Sequence, residues 1–391
     1  MCEVSFLLVF IILAGAIVAV HLVTVFGAFV SFARERQTAR ARVGTPADAG
    51  ERLRVSVLVP ARDEETNLPR LLESLETQGR SDFEIVIVND RSADGTPRII
   101  EDFATRHPDR VRAVTLADDP QEGNPKQRAL AAGVNETTGD IILMTDADCA
   151  VPPGWVETMS APFRDSAVGL VFGAVIPATT GLGRRMRAID RFQSFDQIFR
   201  FQYTAGASGL GVPSGGFGNN IAVRRAALDD AGGFEGLEYS TTEDAQLICQ
   251  VRDTGLWRIR AIRGEGARVA PAPEADMASL VRQSIRWNTG GLFAPDRTTR
   301  LSYGVVMLYL FASVLLAPTA LFYPPLALPA LGSFTSMLLL GIVAGLLGGR
   351  NAVYWLLLIP HVLFAMVFYT YVTILTLAHV PLSWKGRALR G

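Results

Sequence analysis

The longest apolar stretch opens the chain. From Val4 to Ala33 there is no Asp, Glu, Lys or Arg, and His21 is the sole titratable side chain. The run exceeds the ~20 residues that span a bilayer, so it predicts a membrane helix over 1–33. A cleaved leader would begin with positive charge and carry a shorter apolar core. Here Met1-Cys2-Glu3 comes first, and Arg34, Arg36, Arg40 and Arg42 follow the run. Positive flanks stay in the cytosol, which places residue 34 onward inside, on a basic linker over 34–53. Residues 301–349 are again uncharged, with Tyr323-Pro324-Pro325 and Pro329 available to turn between two spans. A third apolar stretch begins at Ala352 and ends near Val380. The expected C-terminal region, 297–391, therefore holds two or three helices. Three would leave Lys385, Arg387 and Arg390 outside, against the charge rule, and a re-entrant or interfacial segment is the alternative.

Between these ends, over 54–296, short apolar runs alternate with helical periodicity. Arg54–Pro60 and Phe83–Val88 read as buried strands, and the first is expected to stop at its proline. Leu68, Leu71, Leu72 and Leu75 then recur at helical spacing, and Thr96–Arg106 forms the next helix. Val111–Leu116, Ile141–Thr145 and Val168–Ile176 are further strands, and a helix starts near Pro125. Strand, short loop and helix in succession predict an α/β domain with a mainly parallel sheet. Met186–Phe201 mixes Arg and Phe at near-helical spacing, as a core-facing or interfacial helix. A glycine-rich segment, Gly206–Asn220, precedes a helix over Arg224–Ala231, and Thr242 is a candidate N-cap of another.

Hydrophobic residues make up 49% of the 391-residue chain, enough for one soluble domain beside the apolar ends. A net charge of −1 gives no sign of nucleic-acid binding. Cys2, Cys149 and Cys249 have neither paired spacing nor histidine partners, which argues against a disulfide framework and a zinc site and fits a reducing compartment.

Candidate chemistry lies where strands end. Asp146 and Asp148, at i and i+2 after Ile141–Thr145, can share a hard divalent cation with phosphate oxygens, or form a solvated turn. Lys126 in a first helical turn opposes the helix dipole and points to an anionic ligand, unless it is solvated. Asp63, Glu64 and Glu65 either complement the next helix or border a ligand corner. Glu243 and Asp244 suit a helix start equally well. Gln283, Arg286 and Trp287 share a helical face, where an arginine fork fits a diphosphate and an indole fits a sugar. Arg and Trp beside a span are also ordinary interfacial anchors.

Taken in order, Pro60-Ala-Arg-Asp-Glu-Glu65, Asn89-Asp-Arg-Ser-Ala-Asp-Gly-Thr96, Lys126–Gly133, Thr145-Asp-Ala-Asp148, Thr242-Glu-Asp244 and Gln283-Ser-Ile-Arg-Trp287 resemble the motifs of the family 2 inverting glycosyltransferases. The resemblance covers Val55 to about Gly291. It implies a GT-A nucleotide-diphospho-sugar transferase fold, in which Pro60, Arg62, Glu64 and Asp90 surround base and ribose and Lys126 lies near the nucleotide. It also implies that Asp146 and Asp148 hold ribose and a diphosphate bridged by Mg²⁺ or Mn²⁺, and that Asp244, beside Glu243, is the general base. Gly218 and Asn219 fall in the acceptor-side loop, and Gln283, Arg286 and Trp287 match a motif shared by polysaccharide and membrane glycolipid synthases. Arg62-Asp63 and Asn89-Asp90 depart from the usual Tyr-Asn and paired aspartates, which leaves the base open between uracil and guanine. The expected protein is an integral enzyme of a bacterial plasma membrane, its catalytic domain cytosolic. It would use a nucleotide-sugar donor and a lipid or lipid-linked acceptor, since about four spans are few for a polymer channel. A processive polysaccharide synthase and an inactive membrane scaffold are the alternatives. The glycine-rich signature of sugar-phosphate nucleotidyltransferases is absent from Ala61–Asn67.

Overall fold

The computed structural model describes residues 2–43, 53–117, 123–177, 185–348, 352–384 and 387–389; linker residues 44–52, together with Lys385 and Arg390, lie outside them. The first helix, α1 (Cys2–Val43), runs on past residue 33, so the basic linker begins as helix. Next come β1 (Val55–Ala61), α2 (Leu68–Glu76), β2 (Phe83–Asn89), α3 (Thr96–Arg106), β3 (Val111–Thr115), α4 (Pro125–Glu136), β4 (Ile141–Met144), β5 (Cys149–Ala150) and α5 (Trp155–Ser160). They are followed by β6 (Val168–Gly173), α6 (Ala188–Gly209), β7 (Ile221–Arg224), α7 (Arg225–Asp230), α8 (Glu243–Asp253), β8 (Arg258–Ile262), β9 (Ala270–Pro271) and α9 (Met277–Leu292). The chain closes with α10 (Arg297–Leu316), α11 (Ala327–Gly348), α12 (Ala352–Leu377) and the hairpin β10 (Leu382–Trp384) and β11 (Arg387–Leu389).

Seven of the described strands form one sheet in the order β3-β2-β1-β4-β7-β6-β8. It is parallel from β3 through β4 and between β6 and β8, whereas β7 is antiparallel to β4 and β6. Nearly every residue of β1, β2 and β4 is buried, because helices cover both faces. Pro60 does not end β1: it pairs with Val88, and the strand continues through Ala61. Val55 is in register with both Phe83 and Ile141, so the carboxyl ends of β1, β2 and β4 lie side by side. Such an edge is where parallel sheets bind ligands. The short β5–β9 ribbon fixes the chain just beyond Asp148, whose carbonyl accepts from Ala272 N at 3.0 Å.

Among the described residues, four helices are long and apolar enough to cross a membrane: Leu7–Gln37 within α1, Arg297–Leu321, Pro324–Gly348 and Ala352–Leu377. Large apolar side chains stand exposed along them, Phe26, Leu301, Leu356 and Val367 among others, which water would not favour. The helix α6 differs from its expected bounds of Met186–Phe201. It runs on through Gly206 and Gly209, and the loop starts only beyond them. Glycine disfavours a helix on its own, but here it allows α6 to meet α1 backbone to backbone. A Cβ on Gly209 would stand 1.9 Å from the Gly27 carbonyl oxygen, and one on Gly206 would stand 2.4 Å from that of Thr24. The helix is core-facing, with Phe192, Phe195 and Phe199 buried, and it packs on α1, α11 and α12 as well as on β8. The last turns of α1 are pinned to the end of β8, where Glu35 accepts from Arg263 N at 2.7 Å and Arg263 donates to the Ala28 carbonyl at 3.0 Å.

Candidate active site

The β1 and β2 ends are laced into one corner. Ala93 N donates to Asp63 Oδ1 at 2.8 Å, Gly95 N donates to Glu65 Oε2 at 2.8 Å, and Thr96 Oγ1 accepts from Glu64 N at 2.8 Å. Asp63 adopts a left-handed φ of 50° to make this turn. These acids therefore do not serve the α2 dipole, whose first turn contains none. Glu64 instead accepts from Asn67 Nδ2 at 2.8 Å. Asp90, buried, takes Arg62 Nη1 at 3.4 Å and a close contact from Arg91.

Lys126 resolves the apparent mismatch with the α4 dipole from within the chain. Its Nζ donates to Asp146 Oδ2 at 3.0 Å, lies 2.7 Å from Asp146 Oδ1, and lies 3.1 Å from Glu243 Oε1. The anion opposite it is thus a pair of side chains, and the lysine is not a solvated surface cation. Burial alone would lower its pKa, but the charges of Asp146 and Glu243 outweigh burial and hold the ammonium above its ordinary value. Burial likewise pushes Glu243 up, yet the charge of Lys126 keeps its carboxyl below the usual range.

No ion pair reaches Asp244 among the described residues, although the charge of Lys126 acts on it. Its Oδ2 accepts from Gly218 N at 2.6 Å and its Oδ1 from Ala245 N at 2.9 Å. A Cβ on Gly218 would come within 3.0 Å of the Asp244 Cβ, so glycine suits this approach. Burial first, and then the charge of Glu243, raise Asp244 to about 6. Thr242 stands at the N-cap position of α8, but its side chain caps no amide.

Asp148, like Asp244, is half-buried. The Cys149 thiol donates to its Oδ1 at 3.3 Å, and no ion pair reaches it among the described residues. Burial, the charge of Asp146 and that of Glu64 push it up to about 7. Among the described residues no group of three or more His, Cys, Asp or Glu side chains could hold a metal unaided.

On α9, Gln283 donates to Glu274 Oε1 at 2.7 Å, which orients it, while Trp287 lies under the Arg200 guanidinium, 4.7 Å from the ring centroid. One cavity of about 850 Å³ borders Pro60, Arg62, Glu64, Asp90, Lys126, Asp146, Asp148, Gly218, Asn219, Glu243, Asp244, Gln283, Arg286 and Trp287, whereas Asp63 and Glu65 do not line it. The sequence reading missed Asn124, which caps α4 through Lys126 N at 2.9 Å and also donates to the Ser240 carbonyl at 2.9 Å. An Asn just before a Pro that opens a helix is the signal that could have found it. It also missed Asp196, Arg200, Tyr303 and Tyr369, which border the same cavity and carry no local signature.

Comparison with known proteins places this arrangement. The motifs resemble those of family 2 transferases, but the family model that matches, over residues 16–390, is that of glycosyl transferase family 21. A beta-monoglucosyldiacylglycerol synthase of Trichormus variabilis is 29% identical over 364 residues, covering 85% of this chain and 72% of that protein. A probable glycosyltransferase of Bacillus subtilis, YdaM, is 30% identical over 253 residues, and the match spans 61% of this chain and 56% of that protein. The undecaprenyl-phosphate 4-deoxy-4-formamido-L-arabinose transferase of Pseudomonas fluorescens is 34% identical over 208 residues, 51% of each chain. Among solved structures, a mannosyltransferase of Pyrobaculum calidifontis in complex with GDP-mannose and Mn²⁺ superposes with a TM-score of 0.52 at 17% identity, covering 93% of this chain and 98% of that one. The fold is thus the GT-A fold, and the chain is a glycosyltransferase. With nearly its whole length matched, it belongs to glycosyl transferase family 21.

Proposed function

We propose that the protein is a membrane-embedded transferase that moves a sugar from a nucleoside-diphosphate donor onto a lipid acceptor. The observation that carries this reading is the extent of the cavity. One end meets Asp146, Asp148 and Asp244, and the other passes among Ile17 of α1, Met307 and Leu310 of α10, Met337 and Leu340 of α11 and Ala365 of α12. A site that continues from carboxylates into apolar membrane helices suits an acceptor with a polar hydroxyl and an apolar tail. Relatives named as acting on diacylglycerol and undecaprenyl phosphate support the same class. The domain of residues 54–296 would face the cytosol of a bacterial plasma membrane, with the four apolar helices spanning the bilayer.

In this reading Pro60, Arg62, Glu64 and Asp90 bound the nucleoside end. Asp148, which no ion pair reaches among the described residues, supplies hard carboxylate oxygens beside Asp146, and diphosphate oxygens and water would complete the set, as Mg²⁺ or Mn²⁺ at a transferase site requires. Such an ion, when bound, would neutralise charge on the departing diphosphate. Lys126 holds Asp146 in place and compensates Glu243. Asp244, fixed by two backbone amides, takes the proton of the acceptor hydroxyl as it attacks the anomeric carbon, and the anomeric configuration inverts. Gly218 and Asn219 border the acceptor's approach, and Gln283, Arg286 and Trp287 close the pocket where acceptor and diphosphate meet.

Purified protein incubated with a panel of radiolabelled nucleotide sugars, divalent cation and membrane lipid extract should give organic-soluble label. Label of high molecular mass would instead mean a polymer, and no label from any donor would mean a scaffold.

A base held near 6 also sets a pH dependence. Above about 6 Asp244 is ionised and accepts a proton; below it the acid is occupied, so kcat/KM should fall about tenfold per pH unit on the acid side. The profile is to be recorded with saturating divalent cation, which keeps Asp148 ionised. A rate flat from pH 5 to pH 8 (roughly one unit below and two above the Asp244 value) would remove Asp244 as the base.

A further inference from the structure

Where the donor pocket meets the membrane helices, the cavity wall contains a charged cluster that the mechanism above does not use. Arg200, in the middle of α6, donates through Nε to Asp196 Oδ2 at 2.9 Å and through Nη2 to the Tyr369 hydroxyl of α12 at 2.7 Å. Tyr369 in turn donates to Asp196 Oδ1 at 2.5 Å, which closes the triangle. The guanidinium lies 4.7 Å from the Trp287 ring centroid and 5.2 Å from that of Tyr369. Two aromatic rings, Trp287 from α9 and Tyr369 from the candidate membrane span α12, thus flank one cation, and these residues, with Tyr303 of α10, border the cavity.

An ion pair buried this way is poor value as a stabiliser, since apolar side chains of similar volume usually serve a fold as well or better. What apolar packing could not do is fix the plane of an indole from one face while binding another helix, α12, by directed hydrogen bonds. We infer that Arg200 is a positioning residue for sugar transfer: with Asp196 and Tyr369 it sets the orientation of Trp287 at the junction through which the acceptor reaches the donor. The inference rests on the lipid-acceptor reading and adds to it a coupling between a membrane helix, α12, and a side chain of the catalytic domain.

Arg200→Lys retains the positive charge but loses the planar fork over the indole. Tyr369→Phe retains the ring and removes both of its hydrogen bonds. Apparent KM values are measured for the nucleotide sugar and for graded dilutions of the lipid extract that the wild-type protein labels, together with thermal unfolding in detergent. The expected result for Arg200→Lys is an acceptor KM raised about tenfold, within the roughly 2- to 30-fold that such a stacked cation is worth, with the donor KM changed less than about twofold. Tyr369→Phe should shift the acceptor KM in the same direction by a smaller factor, and it carries the test if Arg200→Lys does not fold. A purely structural cluster would instead lower the unfolding temperature and move both KM values together, or neither, and either pattern overturns the inference. Failure of the wild-type protein to label lipid would overturn the acceptor reading and this inference with it, whereas lipid labelling with an unmoved acceptor KM would sink this inference alone.

Discussion

Asp244→Asn is expected to slow sugar transfer by about 10²–10⁴-fold, the span of a positioned general base, while nucleotide-sugar binding stays within about twofold. The substitution keeps the shape of the side chain and removes its ability to take a proton. It also has a local cost. Both carboxylate oxygens accept from backbone amides, Gly218 N at 2.6 Å and Ala245 N at 2.9 Å, and an asparagine can present an oxygen to only one of them. Its NH₂ then faces the other donor, which leaves a half-buried amide without that partner, toward the lower end of about 1–3 kcal/mol. A modest fall in unfolding temperature should therefore accompany the large fall in rate. The two effects separate when transfer is timed at a temperature where the variant is fully folded and donor affinity is measured by calorimetry. Normal turnover in a folded variant would remove Asp244 from the mechanism, and equal losses of donor affinity and rate would move it from the acceptor side to the donor side.

What could be read in advance was whatever one or two turns of chain reveal. Leu68, Leu71, Leu72 and Leu75 declare a buried helical face, and all four are buried. The run before Asp146 declares a central strand, and the paired acids fall at its carboxyl end because a strand this short and apolar has little other place to put them. The same local logic failed where the deciding partner is distant. Asp63 and Glu65 look like acids for the helix that follows, but the parallel register of β1 and β2 brings Ala93 and Gly95 to them first. Gly206 and Gly209 look like the start of a loop. Contact with Thr24 and Gly27 on another helix reverses that preference, since tertiary packing outweighs the ~1 kcal/mol helix penalty of glycine. Arg200 could not be singled out at all: an arginine among phenylalanines gives no hint of which ring it will cover. The residues proposed to face the donor could be singled out because strand ends gather them around one cavity. Those that join the domain to the membrane helices were not, because they depend on how separate helices meet.

Lys126→Met is expected to destabilise the protein by about 3 kcal/mol near neutral pH, the lower end of the cost of removing one partner from a buried ion pair. The lysine stands in a first helical turn, where the dipole disfavours it, and is retained against that preference by two carboxylates within 3.1 Å. Methionine fills much the same space and leaves Asp146 and Glu243 uncompensated. The sign of the pH dependence follows. In the wild-type protein Lys126 holds Glu243 below its unfolded value, which gives stability above pH ~4.5 that is lost as pH falls through the lower folded value. Without the lysine, burial prevails and Glu243 moves above its unfolded value, so the variant should regain stability as pH falls. The gap between wild type and variant, measured by thermal unfolding in detergent, should be wide near pH ~8 and narrow toward pH ~5. Glu243→Gln on the Lys126→Met background should recover part of the loss, because it removes one of the stranded charges. The base is affected too: Asp244 loses the nearby positive charge that opposes its rise, so its value should climb further above 6 and the acid limb of the activity profile should shift to higher pH. A stability gap independent of pH would show that Lys126 acts by packing, and that the charge balance around Asp146, Glu243 and Asp244 is set by other groups.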